Sequence, residues 1–279
     1  MKTIVTHFGP DLDAITSTWL IKKYMPGFDN AEITFVAAGK TLNNGKPDID
    51  AQIVHVDTGF GMFDHHLTDE YTCAAKLVFE YLNKKDYIKE KNVEPLRRLV
   101  SEVVITDHFG QVFWENAASD RYEFFADGII DGWRLIYPRE SKKIMDLGFE
   151  ILEAIFHQLS NKVWAEKIIK EEAKEFITKW GKGLGFETMN DEVVSLAQKM
   201  GYTMVVRKDP RKGYVRIKTL PKKEIDLTQI YNILRKQDPK ATWFLHAGKH
   251  MLLNGSTKNP DMKPTKLSLD EIINIIEKQ

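Results

Sequence analysis

Short β-branched runs alternate with stretches of helical spacing near the start of the chain. The runs 3–7, 33–38 and 52–57 each lead into polar residues, which is typical of short buried strands. Between the first two, apolar residues recur at helical spacing over 14–24, ahead of the stop signal Pro26-Gly27. This order predicts a βαβ unit, and hence a parallel sheet covered by helices.

Further helices are expected downstream. One spans 72–82, with Thr68 or Thr72 placed to cap it. From Glu94 apolar residues again follow helical spacing; residues 103–106 would also suit a strand, and we favour the helix. A long amphipathic stretch from about 141 to 180 then predicts one or two helices leading out of the first domain.

The last third of the chain has the pattern of a small α+β domain. The β-rich runs 202–207 and 214–220 flank a turn with the sequence Asp-Pro-Arg-Lys-Gly, which predicts a hairpin. Three elements are expected after it: a helix over 226–236, a strand over 241–247 and a final helix capped by Ser268 with Glu271. We therefore predict an α/β fold with three parts: a parallel-sheet domain (1–140), a helical connector (141–185) and a smaller α+β domain (186–279).

Composition narrows the class of protein. The 279 residues are 43% apolar and 29% charged, as in soluble globular proteins, and no apolar run is long enough to span a bilayer. The single cysteine, Cys73, excludes an intrachain disulfide and suits a buried packing role. We expect a cytoplasmic protein that does not contact a membrane.

The net charge of zero hides an uneven distribution. Residues 202–279 contain 16 Lys and Arg against 8 Asp and Glu, so this segment carries +8 and the remainder −8. The basic segment would suit a phosphate-rich partner, and the acidic remainder would suit cations. Both imbalances could equally be solvated faces.

Candidate chemistry begins where the first and third strands end. His7, Asp11 and Asp13 form an HxxxDxD pattern between the first strand and the first helix, and Asp57 follows the third strand. At the carboxyl ends of parallel strands such side chains project into the crevice where ligands bind. Taken one at a time, Asp11 or Asp13 could instead cap the helix, and Asp57 could be a turn residue before Gly59.

Two further elements complete the pattern. The tripeptide Asp64-His65-His66 lies in an otherwise apolar stretch, where such side chains are costly to bury without partners. Asp107 continues the apolar stripe of the helix that begins near Glu94, so its carboxylate needs a cation or several hydrogen bonds.

These four elements, in this order, resemble the motifs of the DHH phosphoesterase superfamily. The close spacing of Asp57 and Asp64 and the run 243–248 are most similar to the Myg-type DHH proteins, which act as exonucleases. A glycine pair that follows this run in that subfamily is replaced here by Leu252-Leu253, which leaves the substrate class open. The resemblance implies a DHH-type N-terminal domain and hydrolysis of phosphoesters with two divalent cations.

Carried over by position, the resemblance implies two ligand sets and two catalytic residues, His66 and the shared ligand Asp57. One cation would be held by His7, Asp11 and Asp57, and the other by Asp13, Asp57, His65 and Asp107, so Asp57 would bridge. His66 would contact the phosphate or assist proton transfer. Mixed imidazole and carboxylate ligands favour Mn²⁺, with Mg²⁺ or Co²⁺ as alternatives.

The basic C-terminal segment supplies candidate substrate-binding residues. Alternation along 214–220 places Arg216 and Lys218 on one face of a strand, and three more polar residues follow: His246, Lys249 and His250. We expect these side chains to bind backbone phosphates across a cleft between domains, although a solvated surface would have the same pattern.

Three functions are compatible with this sequence. The first is a metal-dependent hydrolase of nucleic acid or short oligonucleotides, acting as an exonuclease. The second is a hydrolase of a small phosphorylated substrate, such as a cyclic dinucleotide or pyrophosphate. The third is a non-catalytic binder of nucleotides or nucleic acid.

Overall fold

The computed structural model describes residues 1–256, 259 and 261–279. It consists of two compact units, Met1–Ser160 and Asn161–Gln279. The predicted boundaries at 140 and 185 stay predictions. No helix in the described part of the chain combines the length and the apolar character needed to cross a bilayer.

The first unit is built on a three-stranded parallel sheet in the order β2-β1-β3. Its strands are β1 (Thr3–His7), β2 (Glu32–Val36) and β3 (Ile53–His55). Five helices belong wholly or partly to it: α1 (Leu12–Tyr24), α2 (Ala74–Lys84), α3 (Glu90–Asp107), α4 (Ala126–Ile136) and α5 (Ser141–Glu172). The predicted parallel sheet is therefore confirmed.

Helix α1 lies in the middle of the first core. Its residues 13–21 are all buried, because β1, α2 and α3 surround a helix that is apolar or small on every side. Gly148 of α5 allows a close approach: a Cβ added there would lie 2.6 Å from Cγ2 of Ile15. Burial of α1 fixes the position of the loop that precedes it.

Helix α3 settles the ambiguity at 103–106 in favour of a helix. Val103 and Val104 are buried on its inner face, and Asp107 is its last residue. The predicted cap of α2 by Thr68 or Thr72 is wrong. Its N-cap is Cys73, which accepts no side-chain capping bond, and the first amides of α2 donate to a carboxylate of α1 instead.

The second unit contains a six-stranded mixed sheet in the order β4-β5-β6-β7-β9-β8. Its strands are β4 (Lys174–Thr178), β5 (Gly181–Glu187), β6 (Met204–Lys208), β7 (Val215–Thr219), β8 (Phe244–Leu245) and β9 (Met251–Asn254). Its further helices are α6 (Glu192–Lys199), α7 (Thr228–Gln237) and α8 (Leu269–Glu277). The predicted helical stretch to 180 is wrong beyond Glu172, because alternating burial and pairing with β5 make 174–178 a strand.

Strands β6 and β7 pair antiparallel, as predicted, and we call residues 204–219 the basic hairpin. Burial alternates along β7, with Arg216 and Lys218 half-buried between fully buried neighbours. The predicted strand at 241–247 is shorter than expected, since only Phe244 and Leu245 pair with β9. The predicted capping box of Ser268 and Glu271 is confirmed at α8.

Candidate metal centre

Five segments of the first unit bring acidic and imidazole side chains together at the carboxyl edge of its sheet. β1 supplies one histidine, the start of α1 two aspartates, the turn after β3 another aspartate, the loop after it a histidine and the end of α3 the last aspartate. We call the following residues the acidic cluster: His7, Asp11, Asp13, Asp57, His65 and Asp107.

Asp57 lies at the centre of the acidic cluster. It is 3% exposed and adopts a left-handed backbone (φ 53°), a conformation that aspartate tolerates better than most residues. Its amide donates to Phe63 O (2.9 Å), which fixes the turn after β3. Its Oδ2 lies 3.1 Å from Nε2 of His7, and its Oδ1 lies 3.6 Å from Nε2 of His65. One carboxylate therefore contacts both histidines of the cluster.

His7 is held with its Nε2 directed at carboxylates. Its Nδ1 donates to the carbonyl oxygen of Phe8 (3.0 Å), so the other nitrogen carries the lone pair when the ring is neutral. Burial acts to lower the pKa of His7, but the hydrogen bond to Asp57 and the charge of Asp11 outweigh it and raise the pKa to about 9. In the absence of a cation the ring is protonated at neutral pH.

His65 faces three carboxylates without a hydrogen bond to any of them. Its Nε2 lies 3.5 Å from Asp107 Oδ2, 3.6 Å from Asp57 Oδ1 and 3.8 Å from Asp13 Oδ2. Contact with Asp57 is the main reason that the pKa of His65 is raised to about 9. Both Nε2 of His65 and Oδ1 of Asp57 are buried and have no hydrogen-bond partner within the described chain.

The sequence left open whether Asp11 and Asp13 cap α1 or face the metal site. Asp11 is the N-cap of α1, since its Oδ1 accepts from the amide of Ala14 (3.0 Å), while its Oδ2 lies 3.7 Å from His7 Nε2. Asp13 accepts from the amides of Ala74 and Ala75 at 2.8 Å each, so the N-terminus of α2 stabilises its charge. Capping and facing the cluster are therefore compatible.

The four carboxylates of the cluster outnumber the two histidines that can carry positive charge beside them. Burial, followed by the charges of Asp57 and Asp107, raises the pKa of Asp13 well above its usual value. Burial likewise raises the pKa values of Asp11 and Asp107. The pKa of Asp57 is lowered despite its burial, because both histidines lie beside it. Ionisation of all four acids requires further positive charge in the cluster.

Among the described residues, three groups of ligand atoms each lie close enough together to hold a metal ion. They are His7 with Asp11 and Asp57, Asp57 with His65 and His66, and His65 with Asp107 and His108. The orphaned Oδ1 of Asp57 and Nε2 of His65 are the atoms that such an ion would satisfy. Mixed imidazole and carboxylate donors fit a divalent transition metal.

The predicted catalytic residue His66 lies at the border of the cluster and is 53% exposed on its side chain. Its Nδ1 is held by Asp64 Oδ1 (2.7 Å) and lies 3.8 Å from Asp57 Oδ1. Asp64 also accepts from the amide of Phe60 (2.7 Å), so it organises the loop. Sequence reasoning gave Asp64 no role; its place beside two histidines was the available signal.

The predicted substrate-binding residues lie in the second unit, and two of them are neutralised there. Arg216 Nη1 lies 3.2 Å from Asp191 Oδ2, and Lys249 Nζ lies 2.7 Å from Asp226 Oδ2. Lys218 is half-buried beside Arg216 on β7. His246 Nδ1 accepts from the amide of Gly248 (3.1 Å), whereas Nδ1 of His250 is buried without a partner among the described residues.

A cavity of about 550 Å³ opens beside the acidic cluster within the first unit. Its walls include five of the residues that the sequence motifs singled out: Asp11, Asp13, His65, His66 and Asp107. Sequence reasoning missed its other side, to which Phe109 and Arg134 contribute. Neither residue belongs to a motif. Phe109 follows Asp107 by two residues, and the packing of α4 against α1 brings Arg134 there.

Comparisons with known proteins leave the family open. No family model matches the sequence, and no curated protein matches it. Among solved structures, the chain is similar to RecJ from Thermus thermophilus in complex with Mg²⁺, with 11% identity and a TM-score of 0.31. The alignment covers 99% of this chain, which spans about half (49%) of that structure. At this level the likeness carries no functional argument.

Proposed function

We propose that this chain is a metal-dependent phosphoesterase that hydrolyses phosphodiester bonds in nucleic acid or short oligonucleotides, releasing nucleotides from an end. The observation that carries the proposal is the acidic cluster, in which Asp57 contacts both His7 and His65 while its Oδ1 and His65 Nε2 lack partners among the described residues. The order of the motifs, which resembles that of DHH phosphoesterases, supports the same chemistry.

In this proposal the cluster holds two cations. His7, Asp11 and Asp57 would hold one, and Asp13, Asp57, His65 and Asp107 the other, with Mn²⁺ the best match to this donor set. Held by these residues, two ions would supply positive charge for the attacking and leaving oxygens of a phosphoryl centre. The carboxylates of Asp11 and Asp107 are partly exposed, line the cavity and complete the two sets.

His66 is the residue best placed to act on the substrate directly. Asp64 accepts from its Nδ1, so Nε2 is the nitrogen that would face the substrate. Only the doubly protonated ring, which a carboxylate at Nδ1 stabilises, could donate from Nε2 to a phosphate oxygen or pass that proton to the leaving oxygen. The half-exposed ring borders the same cavity as the cluster. We therefore predict that His66 contributes to the rate of hydrolysis and that His65 binds metal.

A small phosphorylated substrate is the second candidate. Two ion pairs favour it, Arg216 with Asp191 and Lys249 with Asp226. Because of them, the second unit has fewer unpaired basic side chains than its sequence predicts. The cavity volume of about 550 Å³ also suits a small ligand. Nucleic acid remains the first candidate because the segment 202–279 still carries +8.

An assay of manganese-equilibrated protein tests the proposal. Labelled RNA, DNA, a cyclic dinucleotide and pyrophosphate would be compared at one enzyme concentration, with product lengths resolved for the polymers. We expect shortening of an oligonucleotide by single nucleotides from one end. Turnover of only the cyclic dinucleotide or pyrophosphate would select the second candidate. Absence of turnover for all four substrates, with metal bound, would indicate a non-catalytic binder.

A further inference from the structure

One aromatic side chain borders the cavity in an unusual conformation. Phe109 follows α3 by two residues, lines the cavity and is 72% exposed. Its backbone is left-handed (φ 55°, ψ 23°), and its amide donates to Thr106 O (3.0 Å). A residue that ends a helix in this way is usually glycine, because side chains disfavour that conformation. The need to end α3 therefore does not account for an exposed phenylalanine at this position.

The next residue keeps this turn in place. A Cβ added at Gly110 would lie 2.8 Å from Ile105 Cγ2 and 2.9 Å from Ile105 O, so only glycine permits this close approach. The turn is thereby anchored on the last turn of α3, which also carries Asp107. Phe109 consequently has a fixed relation to the acidic cluster.

The ring of Phe109 differs from its aromatic neighbours in having no partner. Trp114, Tyr122 and Phe125 pack on one another with ring centroids 5.0–5.6 Å apart, and Tyr71 stacks on His108 at 4.4 Å. Within the described residues, no ring packs on Phe109. Its face is therefore open to a planar group that enters the cavity.

The rest of the cavity indicates which planar group that is. On one side lies the acidic cluster, whose proposed cations would bind a phosphate. Arg134 is ion-paired with Asp131 (3.0 Å), and both line the opposite wall together with Asp127. That wall adds no net positive charge, so a phosphate would bind at the proposed cations and not there. A volume of about 550 Å³ accommodates one nucleotide. In a nucleotide one ribose separates the phosphate from an aromatic base.

We propose that Phe109 stacks on the base of the nucleotide whose phosphate lies at the acidic cluster, so that this site takes unpaired, base-bearing nucleotides rather than pyrophosphate or sugar phosphates. The inference rests on the proposed function only in assuming that phosphate binds at the cluster. Because every base has a stacking face, Phe109 favours a base without selecting among bases. Phe109 would thus determine substrate class.

Binding measurements test this inference separately from catalysis. Calorimetry on manganese-equilibrated protein would compare adenosine 5′- and 3′-monophosphates with ribose 5-phosphate. We expect the parent to bind the better adenosine nucleotide about tenfold to a hundredfold more tightly than the sugar phosphate. Phe109→Ala should lose most of that difference while binding ribose 5-phosphate like the parent. Phe109→Tyr should retain it.

Phe113→Ala is the matched control, because Phe113 is a nearby phenylalanine that is 89% exposed but does not line the cavity. It should bind both compounds like the parent, and metal content and melting temperature should match in all variants. Equal binding of the two compounds by the parent, or no binding of either, would overturn the inference. So would an equal loss for both compounds in Phe109→Ala.

Failure of this inference can be told apart from failure of the proposed function. A parent that prefers adenosine nucleotides through Phe109 but cleaves no phosphodiester would disprove the proposed function and leave the base-stacking role intact. A parent that shortens oligonucleotides but binds ribose 5-phosphate as tightly as the nucleotide would support the proposed function and disprove the base-stacking role of Phe109.

Discussion

The acidic cluster of the first unit and the basic hairpin of the second are both dense in charge, but the two charge sets are compensated differently. In the cluster, four carboxylates share two histidines, and buried atoms of Asp57 and His65 lack partners among the described residues. In the hairpin, Arg207 and Arg216 both pair with Asp191, at 2.7 and 3.2 Å. Asp191 therefore offsets part of the charge of two hairpin arginines, although Nε of each is buried without a hydrogen-bond partner among the described residues. The four carboxylates of the cluster are left short of positive charge.

This difference shows that a high density of charged residues does not by itself indicate a ligand-binding site. A run of like charges in a sequence predicts a binding surface only if no opposite charge folds against it. Asp191 is distant from the hairpin in sequence, so the pairing was not visible before the structure. We therefore expect a cation to matter more at the cluster than phosphate contacts matter at the hairpin.

The largest effect should come from breaking the centre of the cluster. Asp57→Asn removes the charge that both histidines contact, so we expect loss of both bound ions and a fall in kcat of about a thousandfold or more. Metal analysis after equilibration with Mn²⁺ and dialysis measures the first effect. Asp191→Asn, which removes a carboxylate from the second unit, should keep the parent's metal content. Two ions in Asp57→Asn would refute a bridging role.

The second effect concerns pH. The pKa values of His7 and His65 are raised to about 9 in the metal-free protein, so the stability that their protonation contributes is complete below about pH 6.5 and is lost as pH rises through 9. Metal-free protein should therefore melt about 5 °C lower at pH 9 than at pH 6.5.

Metal binding should follow the opposite trend. A cation competes with protons for both histidines, so Mn²⁺ affinity should rise with pH up to about 9. Calorimetric titration at several pH values measures it, and scanning calorimetry with and without chelator measures melting. A metal-free protein that becomes more stable over this range would contradict protonation of the two histidines at neutral pH.

A smaller effect is expected at the histidine pair. His66→Ala should lower kcat about a hundredfold with little loss of metal, because Asp64 rather than the acidic cluster holds His66 at 2.7 Å. His65→Ala should lose metal, because its Nε2 faces three carboxylates. The two neighbouring substitutions serve as controls for each other. Equal metal loss in both would show that their roles are not divided.

The smallest effect is expected at the basic hairpin. Replacing Arg216 and Lys218 together by Ser should raise KM for an oligonucleotide about threefold to tenfold and flatten its salt dependence. Hydrolysis of a one-phosphate model ester should be unchanged. A matched pair on the first unit, Lys84 and Lys85 replaced by Ser, should leave KM unaltered. Parent-like cleavage across a salt series would favour the small-substrate candidate.

Local pattern was sufficient to predict most elements of the first unit. β-branched runs that end in polar residues located its three parallel strands, and the helical spacing of Val103 and Val104 placed Asp107 at the end of α3. Strand β4 was missed because its pairing with β5 depends on tertiary contacts, whereas its residues continue a helical spacing. Local spacing cannot reveal such pairing.

The site could be predicted as a set of segments but not as a set of contacts. Motif order indicated which side chains share an edge of the sheet. The bonds between Asp13 and the start of α2 join residues 61 and 62 positions apart and have no local signal. The left-handed turn at Phe109 was equally hidden, because sequence preference would have placed glycine there.

The bonds from the amides of Ala74 and Ala75 to Asp13 also bear on the order of folding. They close a loop that contains β2, β3 and Asp57 and joins residues 61 and 62 positions apart, so the surroundings of Asp13 are complete only when the two ends of that loop meet. Closing so long a loop is entropically costly and belongs to the slow, non-local part of folding. Cation uptake should therefore be a late event, and its rate during refolding should report completion of the first unit rather than its collapse.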